Sequence, residues 1–346
     1  METMYWKVDK NVDNINSCPQ IQQAAHLLKQ NEVVAFPTET VYGLGGNAKD
    51  DEAIKKIFAA KGRPSDNPLI IHIAKQKQLT EFVEEIPAVA KQLIEKFWPG
   101  ALTIIFRMKK GTLSSYATAG LSTVAVRMPD HPIALRLLEE ANLPIAAPSA
   151  NQSGKPSPTS GSHVKEDLDG KIAGIVDGGS TGIGVESTVI DCTEQIPVIL
   201  RPGGITLEQI ESVIGEVRLD SSLTDKEAKP KAPGMKYSHY APDVPLFLVK
   251  GTKERIQLLI NEAKQNGKRV GVLTTNEHQY YYDADYVFAC GAREDLETVA
   301  SSLYEGLRSF NHKNVDIIYS EMFPEAGVGQ AIMNRLIKAA AHQVIE

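Results

Sequence analysis

Cysteine is scarce in this chain: Cys18, Cys192 and Cys290 are the only three in 346 residues, far apart and never in a CxxC pair. So odd and scattered a set excludes a disulfide framework and a thiolate zinc site, and fits a reducing, cytoplasmic setting. No apolar run approaches the roughly 18 residues of a membrane span. The opening Met1–Lys7 lacks the charged-then-apolar layout of a secretory leader. Surplus positive charge is missing too. Lys plus Arg number 37 against 43 Asp plus Glu, a net charge of −6, so the chain is no bulk coat for nucleic acid and any phosphate contact has to be local. There is no GK[ST] phosphate loop and no HExxH, and the eight histidines show no close metal-ligand spacing. No resident metal site is expected. Repeats and low-complexity tracts are absent as well. What remains is an ordinary core-forming composition, 42% hydrophobic and 23% charged. At roughly 150 residues per domain, the length suggests two domains.

Along the first two hundred residues, apolar strands alternate with amphipathic helices. Helical spacing marks 21–28, 51–62, 88–97, 132–141 and 207–214. Strands are expected at 32–36, 69–74, 101–107, 123–127, 145–147, 172–176, 187–190 and 198–200. Several strands follow one another with no helix between them, which predicts a twisted mixed α/β sheet rather than a purely parallel one. Over 221–245 the periodicity fails, and Lys226 to Lys236 is charged and punctuated by proline, the composition of a linker. Beyond it a regular strand–helix alternation returns, the pattern of a small doubly wound parallel sheet. The expected division is a catalytic domain over 1–215, a linker over 216–243 and a Rossmann-like α/β domain over 244–346.

Two motifs match by letter and fail by context. Gly43-Leu44-Gly45-Gly46-Asn47-Ala48 spells GxGxxA, but the helix that should open inside it starts only at Asp50 or Asp51, so it reads as a glycine-rich turn. Gly178-Gly179-Ser180-Thr181-Gly182 spells GxSxG, yet no helix follows to make Ser180 a nucleophile. More informative are three polar loops, each read as following an apolar strand: Pro37–Gly45, Lys61–Leu69 and Ala147–Thr159. Lys61 and Arg63 flank a glycine, so two cations are available to one anionic ligand. Ser149, Asn151, Ser153 and Ser157 supply hydroxyl and amide groups on a proline-stiffened loop. Three such loops in one domain favour a shared site. Arg127 and Arg201 each close an apolar run, where an arginine makes either a structural ion pair or a carboxylate or phosphate clamp. His72, inside Leu69–Ile73, reads as a core histidine.

These same segments resemble a known family. Pro37–Gly45, Lys61-Gly62-Arg63 with Asn67-Pro68-Leu69, and Pro148-Ser149-Ala150-Asn151 with Ser153-Gly154 and Pro156-Ser157-Pro158 are similar to the YrdC-like domain. Glu186–Asp191, Arg201-Pro202-Gly203 and Pro233–Pro242 resemble its longer two-domain form, the threonylcarbamoyl-AMP synthase family, over essentially the whole chain. The resemblance implies that L-threonine, bicarbonate and ATP give threonylcarbamoyl-AMP, pyrophosphate and water. That product serves threonylcarbamoyladenosine formation at position 37 of tRNAs reading codons that begin with A. It implies a threonine pocket lined by Thr40, His72, Arg127, Ala147 and Ser187, with Arg127 on the carboxylate. ATP would be held by Arg63, Asn67, Thr123, Ser149, Ser157, Arg201 and Tyr237, with Lys61 and Asn151 on the same loops and Lys61 and Arg63 as the catalytic cations. Mg²⁺ would arrive with the triphosphate, and a downstream threonylcarbamoyl transfer machinery acting on tRNA would take the product. The residues themselves agree with such chemistry: a carbamate attacking the α-phosphate gathers several anions, so positioning and cations are what catalysis needs. A double-stranded RNA-binding module and a carbamoyltransferase are the competing readings, and ATP–pyrophosphate exchange dependent on threonine and bicarbonate separates the three. The linker, ending in Tyr237 and Tyr240, is expected to fold back as a lid over the ATP.

Overall fold

End signals and apolar spacing explain most elements. In the computed structural model, which describes residues 2–9, 14–65, 67–223 and 240–346, the helix Asp51–Lys61 begins where the Asp50 carboxylate accepts the Ala53 amide at 2.7 Å. Asp51 and Glu52 in its first turn complement the positive helix N-terminus. It stops at Gly62, whose φ of +64° glycine takes without strain. Ala53, Ile54, Ile57 and Phe58 form its buried stripe. The helices Ala88–Phe97, Pro132–Ala141 and Leu207–Ile214 fill their expected spans.

Eleven strands build one mixed sheet. Its middle runs Gly43–Asn47, Ile145–Ala146, Ile70–His72, Thr123–Arg127, Leu102–Arg107, Thr188–Asp191. Ile70–His72 and Thr123–Arg127 are parallel, with His72 paired to Arg127, and both flanking neighbours are antiparallel to them. Two long-chain residues therefore end side by side at one edge of the apolar core.

The second sheet is wholly parallel, in the order Tyr286–Ala289, Val270–Thr274, Ile317–Glu321, Leu246–Val249, Val344–Ile345. From Leu246–Val249 the chain moves first toward one edge and then back past its start to the other, which is the doubly wound topology. The Glu321 carboxylate anchors that sheet's carboxyl end. It accepts the Thr274 and Tyr282 hydroxyls, pairs with His278 Nδ1 at 2.8 Å and receives Arg293 Nη1 at 2.9 Å.

By contacts the chain parts into two units, and the second holds Gly154–Ser157 and Ile183–Val185 as well as 237–346. Arg218–Leu219, at the start of the segment read as linker, adds an edge strand beside Val198–Ile199. Most of that segment, Tyr237 included, lies outside the described residues.

Three local expectations need correction. Gly43–Asn47 is a strand, not a turn, paired with Val34–Phe36 and Ile145–Ala146. Its glycines serve close packing: a Cβ on Gly45 would lie 2.8 Å from Phe36 Cε1 and 2.9 Å from Ile145 Cγ2. The Lys61 loop follows a helix rather than a strand, because the capped helix runs through Lys61 itself. The stretch 161–168, given no element from sequence, is a helix whose N-cap Ser160 accepts the His163 amide. Ser180, by contrast, sits exposed in a loop after Gly174–Asp177 with no helix behind it, as its context indicated. A Gly45→Ala change should cost about 1–3 kcal/mol through overpacking, read as a lower midpoint in chemical denaturation. An unchanged midpoint would mean that the strand has room the structure does not show.

Candidate active site

Arg127 is the centre of the site. It ends a buried strand, is itself almost fully buried, and cannot lose its charge, so its surroundings must supply acceptors. Nε donates to the Gly100 carbonyl at 3.1 Å and Nη1 to Thr40 Oγ1 at 2.8 Å. Nη2 lies 2.5 Å from Glu39 Oε1. The loop carrying Glu39 and Thr40 is folded on Thr38, whose hydroxyl donates to the Val41 carbonyl at 2.7 Å and accepts the Thr40 amide at 3.1 Å. Because the Thr38 hydrogen is spent on Val41, the 2.9 Å contact between the two hydroxyls has Thr40 as donor. The chain of donation runs from Arg127 to Thr40 to Thr38 to Val41.

Beside Arg127 in the sheet, His72 is packed edge-on against Phe36 and donates from Nδ1 to the Ile70 carbonyl at 3.2 Å. Burial, and then the neighbouring Arg127 guanidinium, hold its imidazole down to about 3. Ala147 pairs through its amide with the Ile70 carbonyl at 2.9 Å. Ser187 Oγ meets Thr103 Oγ1 at 2.8 Å, and Arg201 Nη2 reaches both the Ser187 carbonyl (2.8 Å) and its hydroxyl (3.2 Å). That close approach needs Gly203: a Cβ there would fall 2.3 Å from the backbone of Glu186, Ser187 and Thr188. The structure thus gathers Thr40, His72 and Arg127 at the carboxyl end of Ile70–His72, with Ala147 beside Ile70 at its amino end and Ser187 held by Arg201 and Thr103.

A second polar group lies toward the amino ends of the same strands. Thr123 starts the strand that Arg127 ends, four residues or roughly 13 Å away, and Asn67 precedes the parallel partner. Asn67 is buried, and its Nδ2 donates no hydrogen bond. Lys61 spans from its helix end to the loop opposite, donating to the Ser149 carbonyl at 2.5 Å, the Asn151 carbonyl at 2.8 Å and Asn151 Oδ1 at 3.3 Å. Its three hydrogens meet three loop oxygens, and the Lys61 carbonyl accepts the Ser153 amide at 2.9 Å. Ser149 donates to Asn151 Oδ1 at 2.6 Å. Arg63 is half-buried with its guanidinium over the Phe58 ring. The two cations of this loop therefore differ in work: Lys61 fixes a loop and Arg63 lies along the wall. Arg201, grouped with ATP from sequence, sits against Ser187. Ser157 is buried in a segment that belongs with the second unit, and Tyr237 lies outside the described residues.

The chain is similar to known proteins over its full length. A family model described as telomere recombination (Sua5, YciO and YrdC) fits residues 26–203, and one described as threonylcarbamoyl-AMP synthase, C-terminal domain, fits 205–341. The threonylcarbamoyl-AMP synthase of Bacillus subtilis is 62% identical over 345 residues, all of both chains. The chain belongs to the threonylcarbamoyl-AMP synthase family. A crystal structure of the Pyrococcus abyssi family member Sua5, complexed with L-threonine, superposes with a TM-score of 0.92 at 49% identity over 99% of each chain. A shorter family member from Mycobacterium tuberculosis, named as a putative synthase, is 35% identical over 195 residues, 56% of this chain and 89% of that one.

Sequence reasoning passed over Glu39, Thr38, Thr103 and Tyr42 of this family member. Tyr42 pins the first loop, its hydroxyl donating to the Gly179 carbonyl at 2.6 Å and accepting the Gly178 amide at 3.1 Å. Glu39 had one visible signal, a lone acid between two threonines in an otherwise apolar stretch. His72 generates a pH prediction. Below its ordinary value of 6.5 the unfolded chain takes up a proton that the folded imidazole refuses until about 3. The stability is therefore complete above pH 6.5 and falls as the pH drops toward 3. His72→Gln should flatten the decline of the melting temperature between pH 6.5 and 4, and an unaltered slope would assign that decline to other groups.

Proposed function

We propose that this chain makes threonylcarbamoyl-AMP and pyrophosphate from L-threonine, bicarbonate and ATP, as the supply step for threonylcarbamoyladenosine at position 37 of tRNA. Full-length identity to a named synthase carries the reading, and both polar groups described above lie in the part of the chain matched by the first family model, 26–203. The two polar groups suit two ligands. Around Arg127, the buried guanidinium takes the amino acid carboxylate, and Thr40 and Ser187 read the hydroxyl beside a wall made by Ala147 and neutral His72. The second group takes the nucleotide: Asn67 brings an unpartnered buried donor, Ser149 and Thr123 bring hydroxyls, and Asn151 fixes the Ser149 loop, while Ser157 is assigned to the nucleotide by family resemblance alone. Tyr237 is assigned there by family resemblance. ATP enters as its Mg²⁺ complex, carried by phosphate oxygens; among the described residues no cluster of His, Cys, Asp or Glu forms a cage.

Catalysis follows from placement. The carbamate formed on threonine meets the α-phosphate in line between the two groups, with Arg63 and Arg201 stabilising charge as pyrophosphate leaves. Lys61 contributes by holding the Ser149–Asn151 loop rigid, since its hydrogens are committed to that loop. The product passes to a threonylcarbamoyl transfer machinery acting on tRNA. A cytoplasmic location fits three buried free cysteines, and no helix among the described residues is long and apolar enough to cross a membrane.

Incubating the full chain with ATP, bicarbonate and threonine should give an adenylate of the expected mass, dependent on all three; product without threonine would overturn the reading. Arg63→Ala should lower turnover about a hundredfold while the melting temperature holds. Normal kinetics would remove Arg63 from the mechanism. Valine, lacking the hydroxyl, should lose at least about a hundredfold in kcat/KM, and serine about tenfold for its missing methyl. Equal rates with valine would sink the pocket assignment.

A further inference from the structure

We propose that Glu39 receives the amino group of threonine, so that Glu39 and Arg127 form a matched pair for the two charged ends of the amino acid. The inference rests on the reading of Arg127 as the carboxylate clamp and gives a role to a residue that reading leaves idle. Glu39 Oε1 stands 2.5 Å from Arg127 Nη2, with the side chain 14% exposed. Both of its carboxylate oxygens are closed to solvent, and neither accepts an aligned hydrogen bond. A carboxylate ordinarily takes several, and a purely structural arginine partner takes them in parallel. Here the two charges touch while the hydrogen-bonding capacity of the oxygens is left unspent, at a cost a fold keeps only where something offsets it.

The chemistry of an α-amino acid supplies that donor. Its ammonium is one carbon from its carboxylate, so a carboxylate docked on Arg127 carries the nitrogen to whatever charge lies beside Arg127. Among the described residues, the acid in ion-pair reach of Arg127 is Glu39. The guanidinium is held in place by Gly100 and Thr40, so it cannot swing away when a ligand arrives.

Calorimetric titration of the full chain with L-threonine and with 3-hydroxybutanoate tests this. The second ligand keeps the carboxylate, hydroxyl and methyl and replaces the amino group with hydrogen. The unaltered protein should prefer threonine by about tenfold or more, and Glu39→Gln should collapse that preference by weakening threonine alone. Glu39→Asp should recover part of it. Equal binding of the two ligands by the unaltered protein, needing no variant at all, would overturn the proposal. So would a Glu39→Gln protein that keeps the preference or weakens both ligands alike. Arg127→Lys checks the underlying clamp separately: weakening of both ligands supports it, and unchanged threonine binding removes the clamp and this pairing with it.

Discussion

A guanidinium that cannot shed its charge is set at the end of a buried strand, and much of the first unit is arranged to satisfy it. Arg127 draws the Gly100 carbonyl, the Thr40 hydroxyl and the Glu39 carboxylate onto its three nitrogens. Those partners come from two segments distant in sequence, so the first polar loop is fixed by a residue 87 positions beyond Thr40. The same charge helps keep His72 neutral in the next strand. One buried cation thereby sets the loop, the protonation state beside it and the polarity of the pocket.

Lys61 does the corresponding work at the other end of the strands. Being the last residue of a capped helix, it has a fixed origin, and its side chain reaches across to the Ser149–Asn151 carbonyls. Close packing makes both clamps possible. Gly45 lets Phe36 and Ile145 meet across its strand, and Gly203 lets the 186–188 backbone pass within contact distance. Two of the three polar loops are tied down in this way, one by a strand end through Arg127 and one by a helix end through Lys61.

Helices with an apolar stripe and a marked start and stop were legible from sequence: Asp51–Lys61 and Leu207–Ile214 begin at a side-chain cap, and Pro132–Ala141 begins with proline in its first turn. Each of those signals is local. The strand Gly43–Asn47 was not legible, since glycine has little strand preference of its own and its pairing comes from Val34–Phe36 and Ile145–Ala146. Arg127 was visible as the polar end of an apolar run and His72 as a histidine inside one, but their adjacency is a matter of strand register. The partner of Arg127 was invisible for the same reason. Lys61 and Arg63 looked equivalent about their glycine, and only the loop opposite, supplied by Ser149 and Asn151, gives them different tasks.

The relay of hydroxyls from Arg127 through Thr40 and Thr38 to Val41 has a direction, because a guanidinium can only give and a carbonyl can only take. Thr40 sits in the middle with its single hydrogen already spent. Toward anything in the pocket it presents a lone pair and nothing else. A ligand oxygen that faces Thr40 must therefore bring a hydrogen of its own, and a methyl ether or a ketone of the same shape meets two lone pairs head to head. A ligand alcohol set against Thr40 would be told from its capped or oxidised form by the orientation of one bond.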